Sequence, residues 1–281
     1  MPSIRRAYSD GPYGQIHYAT AGNGDVVLLL HQTPRSWDEY AEVMERLASR
    51  RRAVAMDLPG MGASDGPPGE PTIEAYADAA IALLDSLEVE RAHVVGHHTG
   101  SFVATDLAAR YGTRVRSLTL SAPSWVDDRY RELNPDGGDL EVDNAQPVPS
   151  GEHVLELWRQ RQVSYPDGAT ALLQAYLRDA LRVVDPRAGH VACGRYPIDR
   201  AISVVSCPVL LLGHESDPYT IDDLEQFTSR MPTARVEIIS GGVVPLEWSA
   251  AAVADAVTSF LDSVDELSEV PDAPTQPGRG R

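Results

Sequence analysis

Short, unbroken runs of branched aliphatic residues recur along the chain at 26–30, 52–56, 92–95 and 208–212, with weaker runs at 115–120 and 236–239. Continuous rather than alternating hydrophobicity predicts strands covered on both faces, as in a parallel sheet. Helical patterns separate them at 37–49, 73–87, 99–111, 221–230 and 246–261. In the last, Leu246, Ala250, Val253, Val257 and Leu261 recur at three-to-four spacing and predict one buried stripe. Strand and helix alternate, which defines an α/β fold with right-handed crossovers. Ahead of this rhythm, 6–8 and 15–18 flank Asp10-Gly11 and predict an opening antiparallel hairpin.

The alternation stops between 125 and 200. That stretch opens with the turn-rich Asn134-Pro135-Asp136-Gly137-Gly138, continues with helical patterns at 153–162 and 170–183, and shows no strand pattern. The expected organisation is a core of residues 1–124 and 201–262, a helical cap of 125–200, and a disordered tail of 263–281. The tail expectation rests on its acidic, Pro/Gly-rich ending.

Charge narrows the function classes. The chain has 281 residues with 41 acidic and 24 basic side chains, a formal −17, so phosphate backbones and anionic membranes would be repelled. All of the basic side chains are arginine, which removes Schiff-base and phosphate-loop lysine chemistry. The two cysteines, Cys193 and Cys207, are too few for a disulfide framework. No signal peptide follows Arg5-Arg6, and no apolar run nears the roughly 20 residues of a membrane span. A soluble cytoplasmic protein, monomer or homodimer, is expected, with no nucleic-acid or membrane partner.

The chemistry concentrates at Gly96-His97-His98-Thr99-Gly100, where a strand runs through two glycines into a helix. Glycine-x-nucleophile-x-glycine at such a junction is the nucleophile elbow, a strained turn that projects its middle residue over the sheet edge. With this motif the chain resembles the α/β-hydrolase family, through about Leu261. His31-Gln32-Thr33-Pro34 is similar to the family's oxyanion loop. Asp57-Leu58-Pro59-Gly60-Met61-Gly62-Ala63-Ser64-Asp65 is similar to its Asp-x-x-Gly-x-Gly-x-Ser loop. By the same resemblance, the stretch 207–218 delivers the catalytic acid as Asp217, and 241–247 is the turn that normally carries the catalytic histidine. The implied fold is a mostly parallel sheet flanked by helices, with the cap inserted between the sixth and seventh strands.

Two positions depart from the family pattern. His98 occupies the nucleophile's place and Val243 the histidine's. A Ser-His-Asp hydrolase needs a hydroxyl, an imidazole and a carboxylate, and here only the carboxylate remains in place. Val243 leaves space into which the longer His98 side chain can lean toward Asp217, with Glu215 as an alternative partner. The resulting His–Asp dyad suits proton transfer, and the backbone N–H groups of Thr33 and Thr99 would form an anion pocket. This combination leads to an expectation of cofactor-free C–C bond formation, cleavage or cyclisation in natural-product biosynthesis. An unorthodox hydrolase of an activated ester, lactone or epoxide, with His98 as base, is the second reading. A non-catalytic ligand-binding protein is the third.

The substrate pocket is expected to include His31, Gln32, Trp125, Trp158, Tyr165, His214 and Val243. Trp125, Tyr130, Trp158, Tyr165, Tyr176, His190 and Tyr196 enrich the cap in rings. They suit an apolar aromatic or polycyclic small molecule, or they form the cap's own core. Arg129, Arg131, Arg159 and Arg161 either anchor an acidic substrate or form a solvated helix face. No cofactor is expected, and no metal either: His93 and His97 lie along a strand, where four residues span roughly 13 Å.

Overall fold

The computed structural model describes residues 3–138, 143 and 145–268. Its strands are β1 (Arg5–Gly11), β2 (Gly14–Ala21), β3 (Val26–Leu30), β4 (Arg52–Met56), β5 (Ala92–His97), β6 (Val115–Ser121), β7 (Val209–His214) and β8 (Arg235–Ile239). They form one eight-stranded sheet in the order β1-β2-β4-β3-β5-β6-β7-β8. β2 is antiparallel to both β1 and β4, and all later pairings are parallel. The strand order reverses between β3 and β5, and a ligand cleft forms outside the carboxyl ends of such a switch point.

The helices are α1 (Ala41–Leu47), α2 (Ile73–Ser86), α3 (Thr99–Arg110), α4 (Asp128–Leu133), α5 (Glu152–Gln162), α6 (Thr170–Ala180), α7 (Ala188–Arg195), α8 (Ile198–Ala201), α9 (Leu224–Arg230), α10 (Pro245–Trp248) and α11 (Ala250–Ser268). Adjacent residues of the central strands are buried on opposite faces. Leu28, Leu30, Val54, Met56 and Val94 pack with α2 and α3, while Val27, Leu29, Ala53, Ala55 and Val95 pack with α1 and α11. Each fully buried aliphatic side chain of this kind contributes roughly 1.5–3 kcal/mol. This two-sided burial is why the strands read as unbroken apolar runs.

Several boundaries differ from the sequence expectation. The hairpin turns at Pro12 and Tyr13, because Gly11 pairs with Gly14, and not at Asp10-Gly11. The pattern at 37–49 begins as a 3-10 turn, Trp37–Tyr40, before α1. The stripe at 246–261 is broken after Trp248 into α10 and α11. α11 runs on to Ser268, so 263–268 are helical where a disordered tail was expected; Val264 continues the buried stripe. The rest of that expected tail, 269–281, lies outside the described residues. Between β6 and β7 the described residues form α4 to α8, and Leu157, Leu173, Tyr176 and Ala180 make a small separate core there.

Candidate active site

β5 delivers His98 to the sheet edge through a turn that only small neighbours permit. A Cβ on Gly96 would collide with the Gly100 carbonyl, and one on Gly100 with the Leu30 carbonyl. His98 itself sits at φ 44° and ψ −110°, a strained conformation for a residue with a side chain. Its N–H donates to the Ser121 carbonyl at 3.0 Å and its carbonyl accepts from Ser101 N–H at 2.8 Å, so the strain is held by backbone on both sides.

The imidazole leans toward the end of β7. His98 Nε2 lies 3.2 Å from Asp217 Oδ2, and the carboxylate is fully buried. The N–H direction is not aligned for a hydrogen bond, so the contact is a close ion-pair approach. Asp217 is itself well anchored: Oδ1 accepts from Tyr219 N–H at 2.9 Å and Oδ2 from the Thr220 hydroxyl at 2.8 Å. Burial would raise its pKa, but His98 and these donors outweigh it and hold the carboxyl down at about 2. Glu215, the alternative partner, is exposed.

Two further histidines lie under the elbow. The His97 ring is 4.5 Å from that of His98 and 5.9 Å from that of His214, both edge-on. The Ser121 hydroxyl bridges them, 3.0 Å from His97 Nδ1 and 2.8 Å from His214 Nε2. Burial, then the neighbouring His98, lowers His214 to about 4; burial and both neighbours push His97 well below the usual imidazole range. Both are therefore neutral at neutral pH and support the elbow without reaching the cavity.

The cavity above His98 holds about 250 Å³ and is walled by Gln32, Thr99, Phe102, Trp125, Val126, Tyr130, Arg161, His190, Cys193, Tyr219, Asp223 and Val243. That is slightly below the roughly 300–1,000 Å³ of drug-sized sites, room for a single-ring molecule and tight for a polycyclic one. Of the residues expected in the pocket, Gln32, Trp125 and Val243 line it. His31 does not: its Nδ1 is 2.8 Å from the Gln32 carbonyl and its Nε2 accepts from Leu58 N–H at 2.9 Å, so both nitrogens serve the loop. His214 is buried below, on Ser121. Trp158 packs on the cap's own core. Tyr165 borders an adjoining slit with Arg35, Arg161 and Tyr176.

The expected anion pocket is also altered. Thr33 N–H donates to the Thr99 hydroxyl at 3.2 Å, so the side chain of Thr99 already occupies that donor. Gln32 N–H is taken by Glu39 Oε2 at 3.1 Å, and the Gln32 amide donates to Oε1 of the same carboxyl. Burial raises Glu39 to about 7 despite the nearby Arg35. Cys193 lines the cavity, but burial pushes its thiol up to about 12, far from thiolate chemistry at neutral pH.

Tyr130, His190 and Arg161, named from sequence as possible substrate contacts, and Thr99, expected in the anion pocket, also line it, whereas Phe102, Val126, Cys193, Tyr219 and Asp223 were not singled out. Phe102 lies in the first turn of α3, just after the elbow. Tyr219 follows Asp217 by two. Among the described residues no group of three or more His, Cys, Asp or Glu side chains could hold a metal ion. No described helix is long and apolar enough to cross a membrane.

The sheet order, the elbow and the acid at the end of β7 together define an α/β-hydrolase-fold protein. The family model described as alpha/beta hydrolase fold matches residues 25–154. Among curated relatives, a putative carbamate hydrolase of Caulobacter sp. is 27% identical, across 83% of this chain and 88% of the relative. A soluble epoxide hydrolase of Corynebacterium sp. is 29% identical across 61% of this chain and 56% of its own length. An epoxide hydrolase of Vigna radiata superposes with a TM-score of 0.75 at 19% identity, covering 92% of this chain and 98% of the other.

Proposed function

We propose that this protein is a hydrolase that activates water directly, with His98 as general base and Asp217 as its orienting carboxylate. The observation that carries this reading is the 3.2 Å approach of His98 Nε2 to a buried, anionic Asp217, with the imidazole lining a cavity. In this reading the proton sits on Nε2, the nitrogen close to Asp217, and Nδ1, which has no hydrogen-bond partner among the described residues, is the base. Nδ1 would take a proton from water as the oxygen adds to an activated acyl carbon, then return it to the departing alkoxide. Any oxyanion would share Thr33 N–H with the Thr99 hydroxyl or displace it.

An aryl ester or small lactone suits the cavity volume and the single base. An epoxide opened by the same water is the neighbouring chemistry. The elbow has no carboxylate for a covalent epoxide route. The same dyad also meets the requirements of proton-shuttling C–C chemistry, since it lacks a nucleophile. The hydrolase names among the relatives favour hydrolysis over cyclisation.

The test is turnover of 4-nitrophenyl acetate, dihydrocoumarin and styrene oxide in H₂¹⁸O. Direct water attack puts ¹⁸O in the product during a single turnover without an acyl-enzyme, and His98→Ala lowers kcat/KM by about 10²–10⁴-fold. Undiminished activity in His98→Ala, or an acyl group found on Thr99 or Cys193 by mass spectrometry, would overturn the reading.

A further inference from the structure

The cap side of the cavity is built around a guanidinium. Arg161, near the end of α5, is only 6% exposed in a chain whose net charge is −17. Its Nε donates to Asp143 Oδ1 at 2.8 Å, and its Nη2 pairs with Oδ2 of the same carboxylate. The guanidinium stacks 5.1 Å from the centroid of Tyr176, whose hydroxyl also donates to Asp143. His190 Nε2 lies 3.0 Å from Asp143 Oδ2. Asp143 is thus held by three residues, and the arginine is locked in one pose.

One edge of the fork is left over. Nη1 of Arg161 forms no hydrogen bond among the described residues, and its N–H donors are not sealed off. Arg161 and His190 both line the cavity, whereas Asp143 does not. The ion pair therefore stands with its positive end facing the ligand. Asp223, which also lines the cavity, accepts Trp125 N–H at 2.7 Å. The lining thus combines the donors of Arg161 and His190 and the carboxylate of Asp223 with apolar side chains such as Phe102 and Val243.

We propose that Arg161, with His190 beside it, is an anion subsite, and that the natural substrate carries a compact carboxylate or similar monoanion held against the cap. A planar guanidinium edge fixed by buried partners suits a carboxylate. Its orienting role toward His98 rests on the hydrolase reading above; the subsite itself does not. Binding anchored there directs the uncharged, reactive part of the molecule to the elbow.

The experiment is calorimetric binding of benzoate and of neutral benzamide to the full chain. Benzoate is expected to bind at least about tenfold tighter. That preference falls below about twofold in Arg161→Gln and persists in part in Arg161→Lys. Because Arg161→Gln strands Asp143, the double variant Arg161→Gln/Asp143→Asn, which removes both charges, carries the same expectation in a cap without a buried unpaired charge. Equal affinities in the native protein, or an undiminished preference in the double variant, would overturn the subsite and leave Arg161 as a cap ion pair only. His98→Ala retains the preference, so a failure of the hydrolytic reading is read separately, as lost turnover with binding intact.

Discussion

Of the His–Asp pairs among the described residues, His17–Asp57 and His98–Asp217 are the instructive two, and their contrast separates a fastening from the pair proposed to react. His17 Nδ1 meets Asp57 Oδ2 at 2.8 Å on the outer side of the sheet edge. Asp57 also accepts Trp37 N–H at 2.7 Å and Ala63 N–H at 2.8 Å, and Gly62, at φ 54°, leaves the room this requires. Both carboxylate oxygens are engaged, and the loop is tied down. His98 and Asp217 are farther apart at 3.2 Å and poorly aligned, on a strained backbone, with His98 lining a cavity. Pairing alone does not make a site. In the proposed reading, unfinished hydrogen bonding beside a cavity does.

The largest expected effect falls on the reactive pair. Asp217→Asn keeps the shape but loses the charge that orients His98, and kcat/KM is expected to fall about 10²–10⁴-fold in steady-state ester hydrolysis. A change within threefold would make this pair a fastening as well. Acid stability comes next. His214 takes a proton near 6.5 when unfolded but only near pH 4 when folded, so the unfolded state binds more protons between those values. The stability it contributes is complete above about pH 6.5 and is lost as pH falls toward 4, up to about 3 kcal/mol.

His93, lowered to about 4 by burial, and Glu39, raised to about 7, titrate near this window with opposite signs. The difference in melting temperature between native protein and His214→Gln cancels both, and should shrink steadily from pH 7 to pH 4. Asp57 behaves otherwise. Burial works against it, but His17 and the loop N–H groups hold its carboxyl below the usual range, so its contribution is present above that range and unaffected in this window. A difference that stays flat would remove the His97–Ser121–His214 bridge from the account of acid sensitivity. The smallest effect is Asp57→Asn, with about 1–3 kcal/mol lost in urea unfolding and folded-state activity within about threefold. Activity lost in proportion to that at Asp217 would erase the contrast between the pairs.

Much of the core was legible because its signals are local. Runs such as Val26–Leu30 carry their burial in composition, and the glycines flanking His98 mark a turn that other residues would block. The place of Asp217 came from the resemblance of 207–218 to the family's acid-bearing strand, and the residue lies just past the end of β7. The cap was less legible. Its helix patterns are short, and which face of α5 meets the cavity depends on contacts such as Arg161 with Asp143, eighteen positions away. Trp158 and Arg161 lie three residues apart, yet one packs into the cap's core and the other lines the cavity. The turn of the Thr99 hydroxyl toward Thr33 was equally hidden, because 66 positions separate the partners.

Arg35 shows how the two parts of the chain are joined. It lies wholly inside the protein, gripping Glu247 of α10 through two bonds of 2.9 and 2.8 Å and Asp179 of α6 at 3.2 Å. α6 belongs to the inserted segment, and α10 to the core after β8. Prising these apart would strand several charges away from water at once, at a cost of several kcal/mol. This arginine therefore rivets the inserted segment to the core at one point.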